Sequence, residues 1–456
     1  MNKYQWIKRH WSSNIKKIKT NSNCLIFLML FPIIFHLSIT PVQTQYFWIG
    51  FLIIYTIAFG LIWPKFSIVV IIVLLIYLVL YFIRRPNFYF GGIEYNIKGR
   101  IVKTSNKYAI VNVNNNNLLV YLNKYTTSNK VYVGDIVEID GFLEKTQNNN
   151  YFSLSNNIQY FIQKGYIKTI KHPQYSLNAF IENYSTNGGK YFKKYWKLIL
   201  FGINTDSQDI IQNAIKINII HLLVISGLHF EILFKLANKL IYKIKNKWFF
   251  KIVKYFSWII IFYYLTILNN PIPALRAFIM HLFLLFSPKK SWLALVFSAF
   301  IIFIFDFNNI ITISFLLSYS ITVVILITNK IFIKYQLKNK ILKFFILIFI
   351  LYFYMFIWTI KMNGFINVSG LIYSIFLAPI IEFIYILSLL FWYSPIFLNW
   401  IYFVLDKIIL LAAKFSILIP ISLNISQKTL LIWMFSYTIF LLIPLFLSNK
   451  SKKQKN

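Results

Sequence analysis

The sequence predicts a polytopic α-helical membrane protein into which a small all-β soluble domain of the OB type is inserted. The chain is 58 % hydrophobic and 20 % aromatic, and only 13 % of its residues are charged, about half the share that is usual in soluble domains. Runs such as "FWIGFLIIYTIAFGLIW" are long enough to cross a bilayer as a helix. Between residues 84 and 195 the composition changes to short β-type runs, which predict the inserted domain.

Residues 1–83 are predicted to be an N-terminal membrane domain with three spans, at about 24–40, 46–63 and 66–83. This segment contains no acidic residue, and six lysines and arginines precede the first span, so we expect the N-terminus in the cytoplasm. No small-residue cleavage site follows the first run, which we therefore interpret as a retained anchor. The single cysteine, Cys24, excludes an intrachain disulfide and a cysteine-based zinc site.

Residues 84–195 are predicted to be an extracytoplasmic OB-like β domain. The runs "YAIVNV", "NLLVYL" and "VYVGDIVEIDGFLEKT" are separated by asparagine-rich turns and a Gly-Asp pair, as in a small barrel or sandwich. The "GDIVEIDG" stretch favours the five-stranded OB barrel, a fold that often binds oligonucleotides. Half of the chain's acidic residues fall in this segment, which indicates a soluble domain.

Residues 196–448 are predicted to be a second membrane domain, followed by a basic cytoplasmic tail at 449–456. An amphipathic stretch near 206–217 leads into nine apolar runs, which bring the total to about twelve crossings. They lie at about 218–236, 250–268, 274–287, 291–306, 309–328, 343–361, 365–390, 396–418 and 429–447. The run at 274–287 is short, so a re-entrant segment is the alternative there.

The distribution of lysine sets the expected orientation of this second membrane domain. The loop at 235–254 carries seven lysines and the loop at 330–343 carries five, so both are expected in the cytoplasm together with the C-terminus. The whole chain has a net charge of +35. Cytoplasmic loops explain much of this excess, and a polyanionic partner is the other interpretation.

The stretch "HLLVISGLHF" places two histidines, a serine and a glycine in an apolar run. On a helix with ~100° per residue, His221, Ser226 and His229 fall on one half of the surface, and Gly227 allows another helix to approach closely. Ionisable residues in membrane helices usually face a bundle interior or a wet cavity. We therefore predict a functional lining, with hydrogen bonding for helix packing as the alternative.

Three further apolar segments carry polar residues. Arg276 follows two prolines near the start of a run, where snorkelling to the interface is the alternative to a functional role. Ser318 lies inside another span, where bonding of its hydroxyl to the i−4 carbonyl is the alternative. The stretch "NVSGLIYSIFLAP", with Gly370, Ser374 and Pro379, predicts a broken helix that lines a cavity.

These motifs carry a resemblance to a known family. "HLLVISGLHF" closely resembles the signature of the ComEC family, whose members are membrane channels that carry transforming DNA into competent bacteria. "PIPALRAFIM", "FLLSYSITVVIL" and "GLIYSIFLAP" resemble later segments of that family in the same order, and the resemblance covers about residues 24–445. Two positions depart from the family pattern, since Leu316 stands where glutamine is common and Ser374 where asparagine is usual.

The resemblance implies a multi-pass channel for single-stranded DNA in the bacterial cytoplasmic membrane. The residues expected to line the DNA path are His221, Ser226, Gly227, His229, Arg276, Ser318 and Ser374. In the outer domain, stacking of bases is expected on Tyr95, Tyr108, Tyr121 or Tyr132, with Tyr151 and Tyr160 as further candidates and barrel packing as the alternative for each. The implied partners are a cytosolic ATP-driven motor, single-strand-binding proteins and a DNA receptor on the outer face. A separate nuclease and a second copy of the chain are further candidate partners.

Several enzyme classes lack their motifs in this sequence. There is no G-x-x-x-x-G-K-[ST] loop, because "NGGK" at 187–190 has no upstream glycine, and there is no H-E-x-x-H. Many ComEC relatives carry a metallo-β-lactamase-like nuclease domain, but the six histidines here form no such cluster, so we expect any nuclease to be another polypeptide. We expect no cofactor, no metal site and no catalytic residue.

Two functional alternatives stay open at this stage. One is a transporter of another anionic substrate, such as a lipid-linked sugar. The other is a membrane hydrolase that uses Ser226 and His229, although no acidic residue on their face orients the histidine.

Overall fold

The computed structural model describes residues 72, 75 and 79, which are helical, and most of residues 92–453. The gaps after residue 92 are 106–107, 115, 123–130, 146–151, 154–155, 157, 163–164, 172–176, 204–206, 224–226, 242–245, 269–270, 289, 306–308, 310–311, 422–424 and 426. Apart from those three residues, the predicted spans of the N-terminal domain therefore lie outside the described residues. The chain divides into two compact units, residues 1–173 with 275–316 and residues 174–274 with 317–456.

The first unit contains a small β-barrel. Its strands are β1 (Gly92–Thr104), β2 (Tyr108–Val113), β3 (Asn116–Tyr121), β4 (Ile136–Lys145), β5 (Ile158–Ile162) and β6 (Gly165–Lys171). They are ordered β1-β2-β3-β5-β4, and β1 pairs again with β4, which closes five strands into a barrel. Strands β3 and β5 run parallel, and β6 extends the sheet beyond β4. The predicted OB-like domain is thus confirmed as a closed five-stranded barrel with a sixth strand added.

Local sequence explains the barrel. Alternate residues of its strands face inward, and this core includes Ile97, Ile101, Val111, Leu118, Val120, Val137, Ile139, Ile162 and Ile167. Gly99 is required on β1, because a Cβ there would lie 2.6 Å from the side chains of Val111 and Val113. The β2–β3 hairpin turns through Asn114 at φ 46°, a conformation that asparagine tolerates. Before β4, the carboxylate of Asp135 accepts the N–H of Tyr132 at 2.7 Å, which is the turn that the Gly-Asp pair predicted.

Helices make up most of the remaining described chain. They are α1 (Leu177–Thr186), α2 (Lys190–Phe201), α3 (Gln208–Lys216), α4 (Ile220–Leu223), α5 (Gly227–Ile241), α6 (Lys247–Ile267), α7 (Ile272–Phe286), α8 (Ser291–Phe305), α9 (Ile313–Lys334), α10 (Lys340–Asn363), α11 (Gly370–Leu390), α12 (Pro395–Lys414) and α13 (Gln427–Lys453). Two short antiparallel strands, β7 (Phe365–Asn367) and β8 (Leu418–Pro420), join α10 and α12 to the elements that follow them.

Five helices within the described residues are long and apolar enough to cross a membrane. They are α6, from Trp248, and the whole of α9, α10, α11 and α12. Helices α7 and α8, each of 15 residues, and the apolar part of α13, at 432–444, are shorter. At ~1.5 Å per residue, α7 and α8 are about 22 Å long, less than the ~30 Å of a hydrocarbon core. The described residues therefore show five such helices, and the predicted count of about twelve spans, three of them before residue 84, is not confirmed.

Two of the predicted spans differ from the structure near β7 and β8. Residues 365–367, at the start of the predicted span 365–390, and residue 418, at the end of the predicted span 396–418, lie in the paired strands β7 and β8. The predicted break within "NVSGLIYSIFLAP" is wrong, because α11 runs without interruption from Gly370 through Pro379 to Leu390. The interruption lies before Gly370 instead, between the end of α10 at Asn363 and the start of α11. Within α11, Pro379 removes only one backbone donor, which membrane helices tolerate.

The second unit is organised around α2. Phe192, Tyr195 and Trp196 of this helix are buried in one core with residues of α11 and α12. Because this packing draws α1 and α2 into the second unit, the boundary between the units falls after Pro173, whereas the sequence analysis extended the β domain to residue 195. The amphipathic stretch near 206–217 forms α3, in which Ile210 and Ala214 are buried.

Residues 184–218 extend along the hairpin of α11 and α12. Near its turn, the Tyr184 hydroxyl donates to the carbonyl of Trp392 at 2.8 Å. Near its other end, the Asn367 side chain donates to the carbonyl of Lys216 at 2.5 Å, and a Cβ on Gly370 would lie 3.1 Å from Asn218. Since α11 is ~30 Å long, the chain travels the length of this hairpin between α1 and the end of α3.

Candidate functional site

The second histidine of "HLLVISGLHF" is buried in the second unit. Helix α5 begins at Gly227, and His229 is 1 % exposed, with its ring 4.5 Å from the ring of Tyr385 on α11 at an angle of 50°. His221 belongs to α4 by its backbone, but its side chain and the whole of Ser226 lie outside the described residues. Whether the three polar groups share one face therefore stays a prediction.

The motif connects to the C-terminal end of α2 through two tyrosines. Tyr264 of α6 interacts with Tyr385, and its hydroxyl donates to the carbonyl of Leu200. Phe230, next to His229, stacks on Tyr264 with ring centroids 5.6 Å apart. Helix α2 ends because Gly202 adopts φ 70°, and the N–H of Gly202 bonds to the carbonyl of Leu198. His229 is thus linked to the end of α2 by a continuous series of aromatic contacts.

Helix α2 carries charged and polar groups into this core. The ammonium of Lys197, which is fully buried, lies 2.8 Å from the carboxylate of Glu182 on α1. Lys194 pairs with Asp209 of α3 at 3.1 Å. The Tyr195 hydroxyl donates to the carboxylate of Asp406 on α12 at 3.0 Å. The Lys194–Asp209 pair lies at the surface, whereas Lys197 is buried, and a buried charge requires a partner such as Glu182.

A second polar cluster surrounds Asn367 on β7. Besides its bond to Lys216, the Asn367 side chain accepts a hydrogen bond from the Ser369 hydroxyl at 2.7 Å. The backbone carbonyl of Asn367 accepts one from the Tyr352 hydroxyl at 2.5 Å. The N–H of Ile417 donates to the Ser369 hydroxyl at 3.2 Å. These bonds satisfy backbone groups where the helices stop.

The sequence analysis missed both polar groups of the second unit. The signals were present, as lysines in the short apolar segment "KYFKKYWKLILF" and as an asparagine directly before a helix start. Neither signal identifies which residues these side chains contact.

The remaining predicted path residues lie on three helices. Arg276 is half-buried in the second turn of α7, which begins at Ile272 so that the proline at 273 falls in its first turn, where proline is tolerated. Ser318 lies on α9, in the part assigned to the second unit. The Ser374 hydroxyl donates to the carbonyl of Gly370 at 2.8 Å, within its own helix α11.

The predicted tyrosines of the barrel divide into exposed and covered ones. Tyr95 on β1 is 70 % exposed and Tyr121, at the end of β3, is 41 % exposed. Tyr108 packs against Phe152, and burial raises the pKa of its phenol. Tyr132 lies in the turn before β4 and Tyr160 in the barrel core. Tyr151 lies outside the described residues.

Among the residues that the structure describes, no group of three or more histidine, cysteine, aspartate or glutamate side chains is arranged to hold a metal ion.

Comparison with known proteins gives one match. A family model described as "Competence protein" matches residues 202–450, which is more than half of the chain. The match extends from the end of α2 into α13 and contains His229, Tyr264, Tyr385 and Asn367, while the barrel precedes it. No curated protein and no solved structure matches the chain.

Proposed function

The chain belongs to the competence protein family, which serves in competence-related DNA uptake, and we propose that it is the membrane channel through which single-stranded DNA enters the cell. The observation that carries the proposal is the family match over residues 202–450, the part of the chain in which histidine, tyrosine and asparagine side chains meet among apolar helices.

The charge of DNA explains why such a channel needs polar groups. Every nucleotide carries a negative phosphate, and an unpaired charge is strongly disfavoured in ~30 Å of hydrocarbon. A path through the helices must therefore offer hydrogen-bond donors and positive charge along its length. His221, Ser226, His229, Arg276, Ser318 and Ser374 are the proposed donors.

The geometry at His229 refines its proposed role. Its ring is buried against Tyr385, so we propose that His229 belongs to the wall of the path and contacts DNA only when the α5–α11 contact changes.

The proposed setting is the cytoplasmic membrane of a bacterium, with a DNA receptor delivering the strand and an ATP-driven motor and single-strand-binding proteins receiving it in the cytosol. Because the chain contains no phosphate-binding loop motif, the energy for transport is proposed to come from that motor. Degradation of the second strand is assigned to a separate nuclease.

Replacement of His229 tests the proposal. In a transformable strain that lacks its own family member, the wild-type chain should restore transformation. His229→Phe keeps a ring against Tyr385 but removes the donor, so we expect about a tenfold loss of transformation, the equivalent of one hydrogen bond, at unchanged membrane abundance. His229→Gln keeps a donor and should lose less.

Gly227→Leu serves as a packing control. A larger side chain at the start of α5 should separate neighbouring helices and lower the amount of inserted protein together with transformation. Normal transformation in His229→Phe would return His229 to a packing role. If the wild-type chain is inserted and no DNA enters, the channel proposal is wrong, and transport of another anionic substrate becomes the function to test.

A further inference from the structure

The barrel has one covered face and one open face. The covered face is the outer surface of β2 and β3, on which OB barrels commonly bind their ligands. Here Phe152 and Asn156, from the connection between β4 and β5, lie over it. Phe152 packs on Tyr108 with ring centroids 5.3 Å apart, and Asn156 accepts the ammonium of Lys103 at 3.3 Å and the amide of Asn117 at 2.7 Å. Burial lowers the pKa of Lys103.

Apolar packing also closes this surface. Ile110 and Leu119 on the outer side of β2 and β3 are 2 % and 6 % exposed, because they form a small cluster with Ile158. Of the outward-pointing residues on these two strands, Tyr121 alone is classed as exposed in the described chain. A nucleic acid strand therefore has little surface to contact on the covered face.

The open face is the outer surface of β1, β4 and β6. Three aromatic side chains lie at one end of it: Tyr95, Phe142 and Tyr166 are 70 %, 50 % and 43 % exposed. The strand register brings them together, because Tyr166 pairs with Asp140, two residues before Phe142, and the N–H of Asn96, next to Tyr95, donates to Asp140 at 2.6 Å.

Positive side chains occupy the other end of the open face. Glu138 on the central strand pairs in register with Lys98 on β1 and Lys168 on β6. Only Lys98 forms an ion pair with it, at 3.7 Å. Within the described part of the chain, the exposed side chains of Arg100, Lys168 and Lys171 form no ion pair.

We propose that the open face is the single-stranded DNA-binding surface of this protein. Bases stack on Tyr95, Phe142 and Tyr166, while Arg100, Lys168 and Lys171 contact the phosphates. Stacking platforms beside a basic groove are the arrangement by which proteins hold single strands without sequence preference. The inference rests on the proposed function for the nature of the substrate, and it adds which face of the barrel holds the strand.

Equilibrium binding by the full-length protein in nanodiscs tests the inference. The probe is a fluorescent oligothymidine of about 16 nucleotides, the upper end of the site size of an OB fold, and the readout is anisotropy over a range of salt concentrations. Tyr166→Ala should weaken binding about 5- to 100-fold, as expected for one lost base stack. Tyr166→Phe keeps the ring and should bind like the wild type. Lys168→Ala should reduce the salt slope by about one.

Tyr121→Ala is the matched control, since it removes an exposed tyrosine from the covered face. It should leave the affinity unchanged. If Tyr121→Ala weakens binding and Tyr166→Ala does not, the strand lies on the covered face and the inference is overturned. If Tyr166→Ala changes only the oligomeric state, the open face is instead a contact between copies of the chain, which also overturns it.

Transformation by the same variants separates this inference from the proposed function. If the wild-type protein supports uptake but Tyr166→Ala and Lys168→Ala bind DNA normally, the open-face assignment fails while the channel proposal stands. If the inserted wild-type protein supports no uptake, the channel proposal fails, whatever the barrel binds.

Discussion

The barrel and the core around α2 use the same charged groups in opposite ways. On the barrel, Lys98 and Glu138 lie 3.7 Å apart with side-chain exposures of 70 % and 23 %. In the core, Lys197 and Glu182 lie 2.8 Å apart with exposures of 1 % and 17 %. An exposed pair contributes little to stability and leaves its lysine available to a ligand. A buried pair is fixed, because breaking it leaves a charge without its partner.

The two regions also differ in the range of the contacts that hold them together. The barrel combines two hairpins with pairings between non-consecutive strands, but all of these pairings lie within residues 92–171. Helix α2 depends on residues far along the chain, since its first N–H groups are accepted by Asn399, about 208 residues later. The core is therefore the region in which single substitutions should have distant effects.

The largest expected effect is in thiol labelling, which reports on which side of the membrane α1 and the end of α3 lie. If α11 and α12 span the membrane, Asn183→Cys and Tyr393→Cys should be labelled by an impermeant thiol reagent from one side, and Lys216→Cys and Val368→Cys from the other. The reason is that α1 contacts the turn after α11, whereas the end of α3 contacts its start. The measurement is all-or-none labelling in intact cells against inverted vesicles, in a Cys24→Ala background.

This experiment also decides an orientation that the sequence analysis set. The lysines of 330–343 assign that loop to the cytoplasm, and two further crossings put the turn after α11 on the same side. The contact with Trp392 then places α1 there too, whereas the sequence analysis put residues 84–195 outside. Labelling of positions 368 and 393 from the same side would show that α11 does not cross the membrane, and labelling of 183 and 393 from opposite sides would contradict the contact between α1 and the turn after α11.

The next largest effect is the loss of stability when the Lys197–Glu182 pair is broken, compared with the loss when the Lys98–Glu138 pair is broken. Glu182→Gln should destabilise the protein by about 3–5 kcal/mol, the usual cost of breaking a buried pair. Glu138→Gln on the barrel should change stability by less than about 1 kcal/mol. The measurement is the thermal unfolding of the purified protein in detergent. Replacing both partners, as in Glu182→Leu with Lys197→Met, should recover most of the loss because no charge is left unpaired. Equal effects of the two single changes would mean that Lys197 reaches water.

The barrel could be predicted from sequence because its determinants are local. Inward-facing residues alternate along each strand, and Asn114 and Asp135 specify turns within a few residues of their own position. What sequence could not supply was the choice of binding face. Tyr108 and Tyr121 were predicted as readily as Tyr95, and Phe142 and Tyr166 were not singled out. Exposure depends on where the β4–β5 connection lies, and that is set by tertiary contacts.

For the helical core, the sequence predicted the family and the apolar helices but not the contacts between them. Its family was identified correctly from "HLLVISGLHF", and its apolar runs do become helices. The count of about twelve spans stays a prediction, because most of residues 1–91 lie outside the described part of the chain, and hydropathy did not separate the ends of two helices from β7 and β8. The polar groups around α2 were missed because no local pattern shows which residue Lys197, Tyr195 or Asn367 contacts: Glu182 is 15 residues from Lys197, whereas Asp406 is 211 residues from Tyr195 and Lys216 is 151 residues from Asn367.

The smallest expected effect is the loss of stability when an asparagine that caps a helix is removed, at Asn399 or at Asn246. The Asn399 side chain accepts the N–H groups of Tyr191 and Phe192 at 3.1 and 2.9 Å and so caps α2 from another helix, while Asn246 caps its own helix by accepting two N–H groups at 2.9 and 3.3 Å. Loss of an N-cap costs about 0.5–2 kcal/mol. Asn399→Ala should fall at the upper end, because it leaves partly buried donors unsatisfied. Asn246→Ala should fall at the lower end, since water replaces the cap at an exposed site.

Gly189 makes the comparison of caps sharper. A Cβ there would lie 2.6 Å from the Asn399 side-chain oxygen, so Gly189→Ala should displace the cap and destabilise the protein much as Asn399→Ala does. The two changes act on one contact, and the double variant should therefore lose clearly less than the sum of the single losses. Thermal unfolding of the four proteins in detergent measures this coupling. Additive losses would mean that Asn399 does not hold the start of α2, and the long-range character assigned to the core would then rest on its ion pairs alone.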